Sequence, residues 1–515
     1  MNANPAMSPA GPLSNGEPYL LGVKRLGIQS LHEAQIFMRK DSHVCKSEGF
    51  SSHARVLVSN NGRSIVANLY QVTSDIVAMD EVGMSDLAWE NLGLDEGAKV
   101  TISHPPPLES LSAVRGKVYG KRFDYTSLAH IVTDIAAGRY SNILLSAFIT
   151  ACAARALHHD EICALTRAMV EAGDHIAWNK RPIVDKHCVG GLPGNRTTPI
   201  VVAIVAACGL TIPKTSSRAI TSPAGTADTM ETLAPIDLDI LAMRRVVERE
   251  GGCIVWGGAA RLSPTDDILI RVENVLDLDS EGQLVASILS KKIAAGATHL
   301  VLDLPVGPTA KVRTRESAEI LSQSLNEVGA EFGLVVRTIL TDGTQPVGSG
   351  IGPALEARNI LDVLQMKPSA PDDLRQRALV LAGHVLELGG AAGPGEGIVL
   401  AKATLDSGRA WDKFQRICEA QGGMRVPRIA PYHRVIASTA AGIVTSLDNR
   451  RLAKIAKLAG APEDNAAGLE LHVRLGDSVD PRQPLYTIHS ESPGELAYAL
   501  NYARANAGTV GIQVS

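Results

Sequence analysis

Two segments, beginning at Val184 and Thr215, combine the residue types that bind phosphate. They read VDKHCVGGLPGNRTT and TSSRAITSPAGTADTMETL, and a short apolar run lies between them. Each is rich in small and hydroxyl residues and carries a cation, so each offers backbone N–H groups, hydroxyls and positive charge to an anion. Because the pattern occurs twice in one stretch, we expect the chain to do chemistry on phosphate.

The first segment places reactive side chains directly before a glycine turn. Asp185-Lys186-His187-Cys188 ends a strand-like run, and Gly190 and Gly191 follow within three residues. Glycines let backbone amides approach an oxyanion closely, and lysine supplies charge. The same residues also fit a tight surface turn with a solvated lysine, so both interpretations stay open at this point.

The second segment adds a guanidinium to a run of hydroxyls. Arg218 follows two serines, and the residues after Gly225 predict the start of a helix. Arginine can clamp a phosphate or carboxylate through two parallel hydrogen bonds. The alternative is a serine- and threonine-rich loop that caps the helix, and Thr226, two residues before Asp228, fits either role.

Composition bounds the partners of the chain. It has 515 residues with 45% hydrophobic content and a net charge of −4, so we expect large buried cores and no nucleic-acid partner. Its seven cysteines include no CxxC pair or metal-ligand spacing, which indicates reduced thiols, no metal site and a cytoplasmic location. Residues 1–18 predict a flexible tail without a signal peptide. The apolar run Ile200–Cys208 is too short to span a membrane, so a soluble protein is expected.

Periodicity divides the rest of the chain into four domains. Alternating segments predict a β-rich domain over 19–107, which a linker containing Pro105, Pro106 and Pro107 closes. A period of 3.6 in Leu128, Ile131, Val132 and Ile135 predicts a small helical domain over 113–177. Alternating strands and helices over 178–421 predict a large α/β domain with a mixed or parallel sheet, and 425–515 predicts a C-terminal α+β domain. In such sheets ligands bind beyond the carboxyl ends of the strands.

These segments, together with ASILSKK (286–292) and TDGTQP (341–346), resemble the pyrimidine nucleoside phosphorylase family. The resemblance covers roughly residues 113 to 515. It implies a homodimer or higher homo-oligomer, and phosphorolysis of the N-glycosidic bond by inorganic phosphate. On thymidine the products would be thymine and 2-deoxyribose 1-phosphate. Phosphate would be a co-substrate, and no cofactor is implied.

The resemblance also assigns roles to individual residues. The phosphate site would comprise Lys186, Cys188, Thr197, Ser216 and Thr226, and the base would contact His187, Arg271, Ser287 and Lys291. Cys188 departs from the pattern, because the family has serine there and a thiol is a weaker donor than a hydroxyl.

The chain is most similar to the longer, type 2 branch of the family, which includes AMP phosphorylases acting on nucleoside 5′-monophosphates. Those enzymes release ribose 1,5-bisphosphate, and this substrate class is the alternative to thymidine. By this resemblance Asp279 would protonate the leaving base and act in catalysis with His187. The substrate would contact Gly191, Ser217, Arg218, Ala219, Ile220, Thr221, Ser222, Thr226, Ser287 and Lys311.

Other interpretations of these residues remain. Asp279 also fits an ordinary loop carboxylate, His187 a hydrogen-bonded structural histidine, and Lys311 a solvated loop lysine. A dinucleotide-dependent oxidoreductase shares the α/β pattern, but the sequence has no G-x-G-x-x-G after a strand and no P-loop motif. A non-catalytic nucleotide-binding module is the other alternative, and the retained lysines, hydroxyls and Arg218 argue against it.

Overall fold

The structure is a computed structural model that describes residues 19–514 apart from residues 32, 220, 221, 277 and 279, and apart from the side chain of Asn274. The chain forms two compact units. Unit 1 comprises Met1–Leu111 with Ala137–Leu144, and unit 2 comprises Ser112–Ala136 with Leu145–Ser515. The predicted flexible tail, residues 1–18, lies outside the described residues.

Unit 1 contains a closed six-stranded barrel with the strand order β1-β5-β2-β4-β3-β6. Alternating side chains fill its interior, as Val56 and Val58 of β3 show, because successive residues of a strand face opposite sides. Asn61 and Gly62 join β3 to β4 with φ angles of 43° and 82°, a turn that the Asn-Gly pair favours. The elements are β1 (Leu21–Arg25), β2 (Gln35–Arg39), α1 (His43–Ser47), β3 (Arg55–Asn60), β4 (Arg63–Val72), β5 (Glu81–Met84), α2 (Asp86–Leu92) and β6 (Lys99–Ser103).

A helical layer follows in the chain. Its helices are α3 (Leu111–Val118), α4 (Tyr125–Ala136), α5 (Asn142–Ala154) and α6 (His159–Glu171). The apolar face predicted for α4 is confirmed, because Leu128, Ile131, Val132 and Ile135 are all buried. Within unit 2, α6 packs against α4 and against α11 (Glu281–Ala294).

Five parallel strands form the centre of unit 2. They are β7 (Val184–Cys188), β8 (Ile212–Ser216), β9 (Gly252–Trp256), β10 (His299–Val306) and β11 (Val335–Asp342). β11, β10 and β7 pair in one sheet and β8 and β9 in another, and an isolated parallel bridge between Ile183 and Thr211 joins the two. The resulting order is β9-β8-β7-β10-β11. The chain moves outward from β7 in one direction and then in the other, so β7 lies at the switch point where α/β sheets bind ligands.

The helices of this domain surround the sheet. They are α7 (Thr198–Ala207), α8 (Thr226–Glu231), α9 (Ile240–Glu250), α10 (Pro264–Leu276), α11 (Glu281–Ala294), α12 (Arg315–Glu331), α13 (Pro353–Leu364), α14 (Asp372–Leu388), α15 (Gly397–Asp406) and α16 (Arg409–Ala420). The longest apolar run of the sequence is α7, which is buried on all sides between the strands and α13, α14 and α16. A helix with no polar face is stable in water only in such an interior position.

The C-terminal part is a mixture of strands and helices. It contains two sheets, with the strand orders β12-β15-β17-β13 and β16-β14-β18, and α17 and α18 pack with them. The elements are β12 (Gly350–Ile351), β13 (Tyr432–Ala437), β14 (Gly442–Leu447), α17 (Asn449–Leu458), β15 (Gly468–Leu471), β16 (Ser478–Val479), β17 (Pro484–Ser490), α18 (Pro493–Ala505) and β18 (Val510–Val514), with a 3₁₀ turn at Ala507–Thr509. The predicted combination of β-rich, helical, α/β and α+β parts is confirmed. No helix among the described residues has both the length and the apolar character needed to cross a membrane.

Candidate active site

A cleft of about 620 Å³ opens in unit 2 at the carboxyl ends of the parallel strands. Its walls come from the end of β7, the loops after β8, β9 and β10, one face of α11, and α17 of the C-terminal part. The strand order explains this position, because the carboxyl ends of neighbouring parallel strands meet at one edge of the sheet.

The alternation of β7 divides the Asp-Lys-His-Cys run between two sides of the sheet. The ammonium of Lys186, whose side chain is 0% exposed, donates to the Thr197 hydroxyl at 2.7 Å on the α7 side. On the opposite side the Asp185 carboxylate lies 2.8 Å from Lys292 Nζ and 3.6 Å from Lys214 Nζ. Burial lowers the pKa of Lys186, an effect that the nearby Cys188 and Asp303 oppose. The floor of the cleft therefore holds several ammonium groups close together.

Cys188 lies on the same side of β7 as Lys186. Its sulfur accepts a hydrogen bond from Asn195 Nδ2 at 3.1 Å, and the same amide donates to Asp303 at 3.0 Å. Burial and the Asp303 carboxylate raise the pKa of the Cys188 thiol to about 12. The thiol is therefore neutral near pH 7, which makes it a poor nucleophile.

Contacts made by Asp228 and Arg196 hold the conformation of the loop that follows β8, which contains the second phosphate-binding segment. Asp228, at the third position of α8, accepts from the backbone N–H groups of Ala219 at 2.6 Å and Gly225 at 2.8 Å. A Cβ on Gly225 would lie 2.6 Å from the Ala219 nitrogen, so only glycine fits there. Arg196 donates to the Ala224 carbonyl at 2.7 Å and pairs with buried Glu356 at 2.5 Å. These contacts hold the loop against the start of α7.

Ser216 ends β8 and faces the cleft with an unused hydroxyl. The residue is 8% exposed, and among the described residues its Oγ has no hydrogen-bond partner. Buried polar atoms are nearly always satisfied, so a buried hydroxyl without a partner indicates a ligand position. The side chain of Thr226 shares this cleft with Ser216 and Lys186.

Arg218 lines the cleft but is already paired. Its guanidinium donates to Glu231 at 2.7 Å and to Asp228 at 3.4 Å, and it lies 5.0 Å from the centre of the Trp256 ring. The hydrogen bond from Arg218 lowers the pKa of Glu231. An incoming phosphate would compete with these carboxylates for the guanidinium.

α11 and α10 form the wall opposite the phosphate loops. Lys291 donates to Asp266 at 2.5 Å and to the Ser287 hydroxyl at 3.2 Å, one helical turn away. Asp267 also lines the cleft, exposed toward its interior. Desolvation by the surrounding protein and the Asp266 carboxylate raise the pKa of Asp267 to about 6.

His187 is surrounded by cations. Burial and the charges of Lys292, Lys214, Lys291 and Lys186 lower its pKa well below the usual 6.5. The imidazole is therefore neutral near pH 7, with one N–H donor and one acceptor.

Lys311 lies beside the glycine turn of the first loop. Gly190 has a φ of 96°, and a Cβ added there would lie 2.9 Å from the Cβ of Lys311. In the loop after β10, which also contains Lys311, the Thr309 hydroxyl accepts a hydrogen bond from Asn449 Nδ2 at 2.9 Å. That contact joins the loop after β10 to the first residue of α17.

Most of the residues predicted from the sequence line this cleft. They are Lys186, His187, Cys188, Gly191, Ser216, Ser217, Arg218, Ser222, Thr226, Ser287, Lys291 and Lys311. Thr197 is buried behind Lys186, Ala219 contributes its backbone N–H to Asp228, and Arg271 on α10 does not line the described part of the cleft. Asp279, Ile220 and Thr221 lie outside the described residues, so their assigned roles stay predictions.

Sequence reasoning missed several cleft residues. Asn195 and Arg196 belong to the GNRTT string, and an arginine within a glycine-rich loop was a usable signal. Asp267 and Lys214 carried no distinct signal of their own, and Lys292 ends the ASILSKK motif but was given no role. Sequence reasoning also missed the cleft residues that α17 contributes, which are Asn449, Arg450, Ala453, Lys454 and Lys457.

Comparisons with known proteins agree with this architecture. Residues 180–411 match the family described as glycosyl transferase family, a/b domain. Residues 111–173 match its helical bundle domain, and residues 443–509 match the pyrimidine nucleoside phosphorylase C-terminal domain.

Relatives match over almost the full length. A protein of Polaromonas sp. (strain JS666 / ATCC BAA-500), named "Putative thymidine phosphorylase", is 58% identical over 98% of both chains. A protein of Legionella pneumophila (strain Paris) with the same name is 59% identical over 94% of both chains. Among solved structures, anthranilate phosphoribosyltransferase from Thermus thermophilus aligns with a TM-score of 0.49 at 21% identity, over 60% of this chain and 99% of that chain. These relatives align over 94 to 98% of this chain at 58 to 59% identity, and three family domains match. This chain therefore belongs to the pyrimidine nucleoside phosphorylase family and is a pentosyltransferase.

Proposed function

We propose that this enzyme cleaves the N-glycosidic bond of thymidine with inorganic phosphate, giving thymine and 2-deoxyribose 1-phosphate. The observation that carries the proposal is the unsatisfied hydroxyl of Ser216 in a cleft shared with Lys186 and Thr226. These groups offer charge and hydrogen bonds to one dianion. The names of the relatives support thymidine as the nucleoside.

In the proposed reaction an oxygen of phosphate attacks C1′ of the sugar while the bond to N1 of the base breaks. The electron pair of that bond moves to the base, so negative charge develops on the base and positive charge on the sugar. Lys186, Ser216 and Thr226 would hold the phosphate in line with C1′. Such alignment contributes on the order of several kcal/mol to lowering the barrier.

The opposite wall would stabilise the departing base. Lys291 and Ser287, joined by a hydrogen bond of 3.2 Å, would donate to the pyrimidine carbonyl and ring atoms. The neutral imidazole of His187 would donate one further hydrogen bond. Asp279 stays the proposed proton donor, and such proton transfer typically contributes a factor of about 10² to 10⁴.

The test is release of free base from thymidine and uridine, with and without inorganic phosphate. We expect release that depends on phosphate and an equal amount of sugar 1-phosphate. Release without phosphate would indicate a hydrolase, and no release from any nucleoside or nucleotide would overturn the proposal. Chelator treatment should leave the rate unchanged, because the proposed reaction uses no metal or cofactor.

A second candidate substrate is a nucleoside 5′-monophosphate such as AMP, which would give free base and ribose 1,5-bisphosphate. The position of Lys311 beside the Gly190 turn favours it, since a nucleotide brings a second dianion that needs added positive charge. We expect Lys311→Ala to lower kcat/KM for AMP, CMP and UMP more than for nucleosides. An equal loss on both would argue against this role for Lys311.

We further propose that the enzyme works in the cytoplasm as a homodimer or larger homo-oligomer. Light scattering coupled to size-exclusion chromatography would show a mass of at least twice 54.4 kDa. A monomeric mass would refute the proposed assembly.

A further inference from the structure

The wall of the cleft that α10 and α11 form carries a carboxyl group without a partner. Asp267, in the first turn of α10, lines the cleft together with Ser287 and Lys291 of α11. Among the described residues no ion pair or hydrogen bond involves the Asp267 side chain. Its carboxyl group is therefore available to a ligand in the cleft.

The carboxylate next to it in the chain is already engaged. The side chain of Asp266 is 2% exposed and accepts a hydrogen bond from Lys291 Nζ at 2.5 Å. Successive residues of a helix point about 100° apart, so the two carboxyl groups of α10 face different directions. Asp266 holds the Lys291 ammonium in place, and Asp267 faces the cleft.

Apolar side chains of the same elements also line the cleft. They include Ile270, one helical turn after Asp267, and Leu284 and Ile288 of α11. An apolar wall that carries a few polar groups is typical of a site for a small organic ligand. A base bound against this wall would exclude water from the Asp267 carboxyl group.

The charges around Asp267 favour its protonated form. Desolvation, the largest effect, and the Asp266 carboxylate raise the pKa of Asp267 to about 6, and Lys291 on α11 opposes them. The other helices that pack against α10 are α4 and α6, and among the described residues neither places a charged group that shifts this pKa. A bound base raises the pKa further, because loss of water disfavours the charged form.

The protonation state of this group matters to the proposed reaction, in which negative charge develops on the departing base. An ionised carboxylate beside the base would repel that charge. A protonated carboxyl group would instead donate a hydrogen bond to it, and donors aimed at developing charge lower the barrier.

We infer that Asp267 acts as a neutral carboxylic acid that donates a hydrogen bond to a carbonyl oxygen or ring nitrogen of the departing base. The inference rests on the proposed phosphorolysis and adds a group that contacts the reacting base. Asp267 keeps its proton throughout: the electron pair of the bond between C1′ and the base moves onto the base, and Asp279 remains the proposed source of the transferred proton. The rate should therefore fall as the pH rises through the pKa of Asp267.

An amide of the same shape tests the inference, because Asp267→Asn keeps a hydrogen-bond donor at every pH. We would measure kcat/KM for thymidine and uridine from about pH 5 to about pH 8 in the wild type, Asp267→Asn and Asp267→Ala. Inorganic phosphate titrates alike in all three reactions, so the ratio of variant to wild type is compared. Asp267→Ala should be slower than the wild type by about tenfold or more near pH 5 and by less than about threefold near pH 8. Asp267→Asn should stay within about threefold of the wild type near pH 5 and exceed it near pH 8.

Glu495→Gln is the matched control. A hydrogen bond with Asp464 and desolvation raise the pKa of Glu495 to about 7, and this residue of α18 does not line the cleft. The control should follow the wild-type pH profile. Equal losses in Asp267→Asn and Asp267→Ala at every pH would indicate a structural role, and a slow Asp267→Asn near pH 8 would indicate that the ionised carboxylate is the active form. Either result would overturn the inference and leave phosphorolysis intact.

Binding of free bases covers the case in which no nucleoside is cleaved. Calorimetry of thymine, uracil, cytosine and adenine near pH 7, in two buffers of different ionisation enthalpy, gives the number of protons taken up on binding. The wild type should take up part of a proton, because a bound base favours the protonated carboxyl group, and Asp267→Asn should take up less. Equal proton numbers in the two proteins would refute the inference, as would a wild type that binds none of the four bases.

Discussion

Replacing Ser216 with alanine should weaken phosphate binding without destabilising the fold. The Ser216 hydroxyl is buried, faces the cleft and has no partner among the described residues. In the unliganded protein its removal eliminates an unsatisfied polar atom. In the complex with phosphate it removes a donor to a dianion.

The two effects have opposite signs and can be estimated. A hydrogen bond to a charged group contributes about 1.5 to 3 kcal/mol, so KM for phosphate should rise about 10- to 150-fold. Removing a buried hydroxyl that has no partner should leave the free energy of unfolding unchanged or raise it by roughly 1 kcal/mol. A structural serine would behave in the opposite way.

Ser490→Ala is the matched control. The Ser490 hydroxyl is fully buried and lies within hydrogen-bond distance of the Ala459 and Ser492 carbonyl oxygens, at 2.7 and 2.9 Å. This variant should lose about 1 to 3 kcal/mol of unfolding free energy and keep its KM for phosphate.

Steady-state kinetics at saturating nucleoside and urea unfolding measure both quantities. If Ser216→Ala loses stability and keeps its KM for phosphate, the reasoning from the unsatisfied hydroxyl is wrong.

Three further predictions concern two adjacent residues of β7, His187 and Cys188. Cys188→Ser should lower KM for phosphate about fivefold, because a hydroxyl is a better donor than a thiol, and an unchanged or higher KM would show that the side chain does not contact phosphate. In the native protein, mass spectrometry should find Cys188 alkylated slowly by iodoacetamide at pH 8, since its pKa is about 12. Because the folded-state pKa of His187 is well below 6.5, the unfolded chain binds a proton that the folded protein excludes as the pH falls below 6.5. The melting temperature should therefore fall over that range less steeply in His187→Asn than in the wild type, and parallel curves would contradict the assigned shift.

Several features of the site were predictable because they depend on local pattern. Lys186 lies near the end of one strand-like run, and the hydroxyls from Ser216 to Thr226 follow another apolar segment. Parallel strands bring their carboxyl ends to one edge of the sheet, where these residues then meet. By contrast, the alternation along β7 that separates His187 from Lys186 and the close approach of the loop backbone at Gly225 were not predicted and are seen only in the folded chain.

Pairing among charged side chains was not predictable in the same way. The sequence suggested Arg218 as a ligand for phosphate, whereas the fold places Glu231 and Asp228 within hydrogen-bond distance of it. Asp267 carries no distinguishing pattern, and only its neighbours in the folded chain raise its pKa to about 6. Distances between charges decide such effects, and those distances arise from packing.

The sequence by itself determined the order of domains, the two phosphate-type loops and the family resemblance, because composition, periodicity and short motifs act over a few residues. Only the tertiary structure decided that α17 forms a wall of the same cleft. Its cations lie more than a hundred residues along the chain from Lys311, and they reach that wall through the hydrogen bonds of Asn449 to Thr309 and Gly343. Contacts between distant segments depend on the packing of the whole domain, so no local pattern could place them.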